Sequence, residues 1–206
     1  MLGVVHVVDD DESFRKAIER RLRKAEYDVM TYANGRQLLD RLPDENQSGC
    51  ILLDVRIPDL SGPELQRRLS ELGLLLPIIF LTGYADVRTT VQTIKAGAED
   101  YLIKPIPSQR LLEAIEKALT HHQLLRGSRN KLDAIRSQIG LLTPRERQVF
   151  ELVVRGKINK QIAVQLGATE RTIKAHRHKV MEKMQVRSLA ELVSIAERVG
   201  ILAAAN

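Results

Sequence analysis

The sequence has one cysteine, no tryptophan and only 3% aromatic residues across its 206 positions. With Cys50 alone, no internal disulfide can form, and a reducing, cytoplasmic setting is the expected one. Scarce aromatics leave an aliphatic core, which the 44% apolar fraction can supply. No apolar run approaches the ~20 residues that a membrane helix needs. Nor is a secretory signal expected, because Asp9-Asp10-Asp11-Glu12 arrive before a long apolar stretch can form. No internal repeat is visible, and only the Ala203–Ala205 tail is low in complexity.

What is present is unevenly distributed. Residues 1–120 hold 16 Lys+Arg against 19 Asp+Glu, a net −3; residues 121–206 hold 16 against 7, a net +9. An acidic half is followed by a basic half, and a basic domain of this size points to a polyanionic partner. Charge alone leaves open a basic helical bundle that is simply well solvated.

The first half alternates short apolar runs with amphipathic stretches. Val4–Val8, Val29–Tyr32, Cys50–Leu53, Pro77–Leu81 and Asp100–Ile103 read as strands buried on both faces. Between them, Phe14, Ile18, Leu22 and Ala25 recur at helical spacing, as do Leu65, Leu69 and Leu72. Asn34-Gly35, Ser61-Gly62 and Gly97 punctuate the turns. Five strands alternating with helices imply a doubly wound parallel sheet with right-handed crossovers, an α/β architecture. A fifth helix is expected from about Gln109 to Leu125, ended by Gly127-Ser128.

Chemistry collects at the strand ends. Asp9 and Asp10 follow the first strand, Asp54 closes the third, Thr82 follows the fourth, and Lys104 follows the fifth, ahead of Pro105. In a doubly wound sheet the carboxyl ends of the strands share one edge, so these groups should converge on one crevice. Clustered carboxylates repel each other and favour a hard divalent cation with oxygen ligands, for which Mg²⁺ fits. A carboxylate beside such a cation can attack phosphorus and become an acyl phosphate. Lys104 and Thr82 would then hold phosphoryl oxygens. Other residues read as structural. Asp11 reads as the cap of the first helix, Asp59 as a turn residue, Cys50 as core, and His121-His122 as surface positions that point apart on a helix.

The motifs VVDDDES, LLDVRIPDLSG, FLTG and YLIKP resemble the receiver domain of bacterial two-component response regulators, over about residues 3–123. The resemblance implies strand order 2-1-3-4-5 and assigns Asp54 as phosphoacceptor. It makes Asp10, Asp54 and the backbone carbonyl of Arg56 the Mg²⁺ ligands, with Asp9 positioning the metal through water. Thr82 and Tyr101 match the switch pair, and Lys104 matches the phosphate-contacting lysine. Ile57 stands where the family usually has methionine, and Ile106 where phenylalanine often follows Lys-Pro; both swaps touch packing. The resemblance also implies a cis Lys104–Pro105 bond.

The second half has no strand pattern. It reads as four helices at about Pro144–Arg155, Asn159–Leu166, Glu170–Met184 and Ser188–Val199. Thr143 with Glu146 forms a capping-box signature, repeated by Ser188 with Glu191. Two of these helices, joined by the short Gly167-Ala168-Thr169 turn, have the outline of a helix-turn-helix. On the second of the pair, Ile173, His176, Val180 and Met184 share one face; Arg171, Lys174, Ala175 and His178 share the opposite one. A basic face around one small residue suits the major groove. Lys174 can donate to guanine and Ala175 can touch a thymine methyl. Lys160, Thr169, Thr172 and Lys179 suit phosphate contacts, and Arg177 is expected to snorkel at the edge of the apolar face. The stretch from LTPRERQVF to SLAEL resembles the LuxR-type effector domain, over about residues 141–200. Together the halves resemble the FixJ/NarL family, which implies base contacts at Lys174, Ala175 and His178 and pairing through the last helix.

The expected organisation is therefore a receiver at 1–123, a part-helical linker at 124–140 and a four-helix DNA-binding domain at 141–206. The expected partners are a sensor histidine kinase, double-stranded DNA, a second copy when phosphorylated, and RNA polymerase. The expected outcome is transcription control, with activation the usual sense. No enzymatic turnover is expected. Asp-nucleophile phosphatases carry a second Asp two residues after the nucleophile, and Arg56 holds that position here.

Overall fold

The structure, a computed structural model, describes residues 2–44, 46–83 and 87–202. The Ala203–Ala205 tail lies outside the described residues. The chain divides into two compact units, residues 1–127 and 128–206.

The first unit is a five-stranded parallel sheet: β1 (Val4–Val8), β2 (Asp28–Tyr32), β3 (Gly49–Asp54), β4 (Ile78–Thr82) and β5 (Asp100–Ile103), in the order β2-β1-β3-β4-β5. Its helices are α1 (Glu12–Lys24), α2 (Gly35–Asp40), α3 (Gly62–Glu71), α4 (Val87–Lys95) and the long α5 (Ser108–Gly140). β1, β3 and β4 are buried along their whole length, which accounts for their unbroken apolar runs. Side chains alternate between the two faces of the sheet. Val5, Val7, Cys50, Leu52, Ile79 and Leu81 pack with Ile18 and Leu22 of α1 and with Leu111 and Ile115 of α5. Val8, Ile51, Leu53, Ile78 and Phe80 pack on the other face with Leu38 of α2 and with Leu65 and Leu69 of α3.

Asp11 caps α1 as expected, its carboxylate accepting from the backbone of Ser13 and Phe14. Cys50 is fully buried, and burial pushes its thiol up to about 12. Asp59 sits exposed in a turn with φ +65°.

Three expectations fail. β2 and β5 are the edge strands and are not buried on both faces, since Met30, Thr31 and Ile103 are exposed. Gly127-Ser128 do not end the fifth helix, which continues to Gly140. One helix-interior glycine costs only about 1 kcal/mol relative to alanine. Good helix formers flank it, no proline intervenes, and Arg129 and Asp133 form an i,i+4 ion pair. The positions expected as a part-helical linker are thus helix, with Ile135 and Ile139 packed in the core of the second unit. Nor is His122 a surface residue. It is fully buried, and its Nδ1 accepts from the Gly49 backbone at 3.1 Å, whereas His121 is exposed beside Glu99. Adjacent helical residues do diverge, and one of these two points inward.

The second unit holds α6 (Pro144–Val154), α7 (Asn159–Leu166), α8 (Glu170–Lys183) and α9 (Leu189–Arg198) around Val149, Phe150, Ile162, Ile173, Val180 and Leu192. Thr143 and Glu146 complete the capping box. Ser188 caps α9, while the Glu191 carboxylate accepts from the backbone of Arg187. Gly167 makes the α7–α8 turn at φ +61°, a conformation glycine adopts without strain. Glu146 is buried against the Lys183 ammonium at 2.6 Å. That hydrogen bond, followed by the one from the Thr143 backbone, pulls its carboxyl down to about 2.

Two stability predictions follow from this packing. A methyl group at Gly62 would meet the Asp54 carbonyl oxygen at 2.5 Å and Phe80 at 3.0 Å. Gly62→Ala should cost about 1–3 kcal/mol in urea unfolding of the first unit. For Glu146, the folded pKa is depressed, so its stabilisation is complete above the ordinary carboxylate pKa and is lost on acidification. The gap in urea midpoint between wild type and Glu146→Gln should be full at pH 6 and close between about pH 4.5 and pH 2; a gap independent of pH would contradict the ion pair.

Candidate acidic pocket and nucleic-acid interface

The register of the sheet brings the polar residues together. Val8 aligns with Leu53, Asp54 with Leu81, and Thr82 with Ile103. Asp9, Asp54, Thr82 and Lys104 therefore emerge at one edge. Asp9 is fully buried, Asp54 and Thr82 are nearly so, and Asp10 is exposed at the rim. The Lys104 ammonium donates to Asp9 Oδ2 and to Asp54 Oδ2, each at 2.5 Å. The other carboxylate oxygens are held by backbone: Asp9 Oδ1 accepts from Asp11 N at 3.0 Å, and Asp54 Oδ1 from Arg56 N at 2.8 Å. The Arg15 guanidinium donates to the Asp9 carbonyl at 2.5 Å.

Burial raises the Asp9 pKa above its ordinary value, although Lys104 acts in the opposite direction. For Lys104, burial works to lower the pKa, but the hydrogen bonds to Asp54 and Asp9 outweigh it, and the net shift is upward. The ammonium is thus kept charged among carboxylates.

Carboxylate oxygens of Asp9, Asp10 and Asp54 lie within 4.8 Å of one another, compact enough to converge on a single small cation. All three donors are hard oxygens, the set that Mg²⁺ prefers. Lys104–Pro105 is cis, and Ile57 and Ile106 are both buried. Tyr101 packs beside Phe80, ring centroids 6.4 Å apart, and its buried hydroxyl has no hydrogen-bond partner among the described residues.

In the second unit, α8 divides its faces as the sequence spacing requires. Ile173 and Val180 are buried, with Met184 just beyond the helix end, while Arg171, Lys174, Ala175 and His178 are exposed. Lys160 on α7, and Thr169, Thr172 and Lys179, are exposed too. Thr169 caps α8: its Oγ1 accepts from Thr172 N at 3.1 Å and lies 2.8 Å from Thr172 Oγ1. His176 is half-buried beside the apolar face. Arg177 donates to Asn159 Oδ1 at 3.0 Å, tying α8 to the start of α7. Arg145 of α6 donates to the Leu166 carbonyl at the end of α7. Neither tie was legible from spacing, because each joins separate helices through a long, flexible side chain.

Residues 5–116 match the family model described as the response regulator receiver domain, and residues 140–196 match that described as bacterial regulatory proteins, luxR family. Nodulation protein W of Bradyrhizobium diazoefficiens is 39% identical over 202 residues, covering 98% of this chain and 88% of that protein. Transcriptional regulatory protein FixJ of the same organism is 38% identical over 200 residues, covering 97% of each. Among solved structures, the response regulator StyR aligns with a TM-score of 0.82 at 42% identity, over 95% of this chain and 98% of that one. Full-length FixJ from B. japonicum aligns at 0.59 and 38%, over 97% and 98%. The receiver domain of DrrB, described as BeF3-activated, aligns at 0.52 and 30%, over 58% of this chain and 99% of its own. The two matched domains, in this order on one chain whose relatives align along nearly its whole length, make this protein a member of the FixJ family of two-component response regulators, with a receiver followed by a LuxR-type domain that binds DNA and acts on transcription.

Proposed function

We propose that Asp54 is the phosphoacceptor of a switch that controls DNA binding by the helical unit. The observation that carries this reading is the Lys104 ammonium bridging Asp9 and Asp54 at the carboxyl edge of the sheet. It marks a pocket already arranged for anionic oxygens. In the proposed step, an Asp54 oxygen attacks the phosphorus of a phosphohistidine on a sensor kinase. An O–P bond forms as the P–N bond breaks, and the imidazole leaves with the electron pair and takes up a proton. Mg²⁺, held by Asp10, Asp54 and the Arg56 carbonyl with Asp9 acting through water, would neutralise charge on the phosphoryl oxygens. Lys104 exchanges its Asp54 contact for a phosphoryl oxygen, and the Thr82 hydroxyl donates to another.

A buried hydroxyl without a partner costs about 1–3 kcal/mol. Tyr101 therefore gains from a rotamer that satisfies its oxygen, which favours a role as the second half of a Thr82–Tyr101 switch. The phosphoryl group biases this two-state element by binding one state better than the other. The relative described as BeF3-activated supports the same chemistry here.

The activated receiver pairs with a second copy, and two helical units reach half-sites about one helical turn apart, with α9 helping to pair them. Lys174, Ala175 and His178 read bases from the major groove. Lys160, Thr169, Arg171, Thr172 and Lys179 lie against phosphates or at the groove edge. The protein acts in the cytoplasm, contacts RNA polymerase and activates transcription. It consumes phosphoryl groups as a signal and does not turn over a separate substrate.

With Mg²⁺ and acetyl phosphate, wild type should take up one phosphoryl group and double its light-scattering mass, and Asp54→Asn should do neither. Normal uptake and pairing by Asp54→Asn would remove Asp54 from the mechanism. On DNA, Lys174→Ala should lose about 1–3 kcal/mol on the preferred sequence and little elsewhere. Lys160→Ala should weaken all duplexes alike and reduce the log–log salt slope by about 1. Binding measured across a salt series on specific and random duplexes separates these two effects.

A further inference from the structure

We infer that Phe14 is a positioning residue for Lys104, holding the ammonium through the face of its ring while the carboxylate contacts are exchanged for phosphoryl ones. This rests on the reading of Asp54 as phosphoacceptor. The Lys104 Nζ lies 4.0 Å from the Phe14 ring centroid while donating to Asp9 and Asp54. An ammonium over an aromatic face is attracted by the ring quadrupole, more strongly where water is partly excluded.

Of the three contacts, the ring is the one that phosphorylation does not alter. Asp54 loses its free carboxylate when it becomes an acyl phosphate, and Asp9 lies in the oxygen cluster that a cation would join. A lysine side chain is long and flexible, so an ammonium held only by groups undergoing the reaction would lose its place during it. The ring also takes no N–H in a directed hydrogen bond, so it does not compete with phosphoryl oxygens for donors.

Phe14 is itself well placed to act as a fixed support. Its backbone N–H donates to the Asp11 cap at 3.1 Å, which sets it in the first turn of α1. Its half-buried side chain packs against the core formed by α1, α5 and one face of the sheet. The third aspartate of the DDD run thereby gains a purpose, since it orients the ring that supports Lys104.

The test compares Phe14→Leu, which keeps the apolar bulk and loses the quadrupole, with Phe14→Tyr, which keeps both. The readouts are acetyl phosphate uptake over a Mg²⁺ series and the ¹H–¹³C resonance of the Lys104 ε-methylene, identified with Lys104→Gln. Phe14→Leu should lower the maximal uptake rate by about tenfold with the half-saturating Mg²⁺ concentration unchanged. The upfield ring-current shift of Lys104 should vanish in Phe14→Leu, and Phe14→Tyr should restore both. Uptake by wild type with a normal rate in Phe14→Leu overturns the positioning role alone. Equal slowing in both variants, with both melting temperatures lowered, reduces Phe14 to packing and overturns it too. No uptake by wild type, or equal uptake by Asp54→Asn, overturns the phosphoacceptor reading instead.

Discussion

Two carboxylates buried at the end of a parallel sheet repel each other unless a cation lies between them, and in the first unit that cation is Lys104. Asp9 is fully enclosed and Asp54 nearly so, positions a lone carboxylate reaches only by giving up its charge or finding a partner. The rest of the pocket follows from this requirement. β5 must end where its following lysine reaches across β4 to the ends of β1 and β3, and the parallel register achieves this. α3 must begin close beneath Asp54, which only a glycine at position 62 allows. The backbone N–H groups of Asp11 and Arg56 take the remaining carboxylate oxygens, so both buried carboxylates are hydrogen-bonded on either side, while one ammonium beside three aspartates leaves room for a further cation.

The second unit solves a different problem with the same physics. The one buried carboxylate among its described residues, Glu146, is satisfied by Thr143 and Lys183, while Arg171, Lys174, His178 and Lys179 of α8 stay at the surface. Arg177 and Arg145 spend their guanidinium groups on joining helices. Lys174 and His178 make no such ties among the described contacts and remain exposed on α8. The division between basic residues that build and those that face outward is what gives the helix an electrostatic face.

Much of this was legible in advance, for identifiable reasons. Apolar runs such as Val4–Val8 and Cys50–Leu53 report strands because both their faces are covered. Thr143 with Glu146 reports a helix start because the capping box is a local geometry. Asp9, Asp54, Thr82 and Lys104 could be assigned to one crevice because a parallel sheet places all its strand ends on one edge. What escaped was set by non-local packing. His122 looks like a surface histidine until Gly49, 73 positions away, is found beneath it. Gly127-Ser128 looks like a helix end, yet the residues on both sides favour helix strongly enough to carry α5 across it.

The sequence by itself determined the element order, the acidic and basic halves, the polar residue set at the strand ends and the outward face of α8. Periodicity, capping and charge are written at short range, and strand ends follow from topology. Tertiary structure alone decided which partners these groups take. Lys104 spans Asp9 and Asp54 with a phenyl ring at its side, Tyr101 lies against Phe80 with its hydroxyl unpartnered among the described residues, and Glu146 meets Lys183 across two helices. Those pairings depend on the distance and orientation of side chains carried by different elements, and no spacing along one chain segment encodes them.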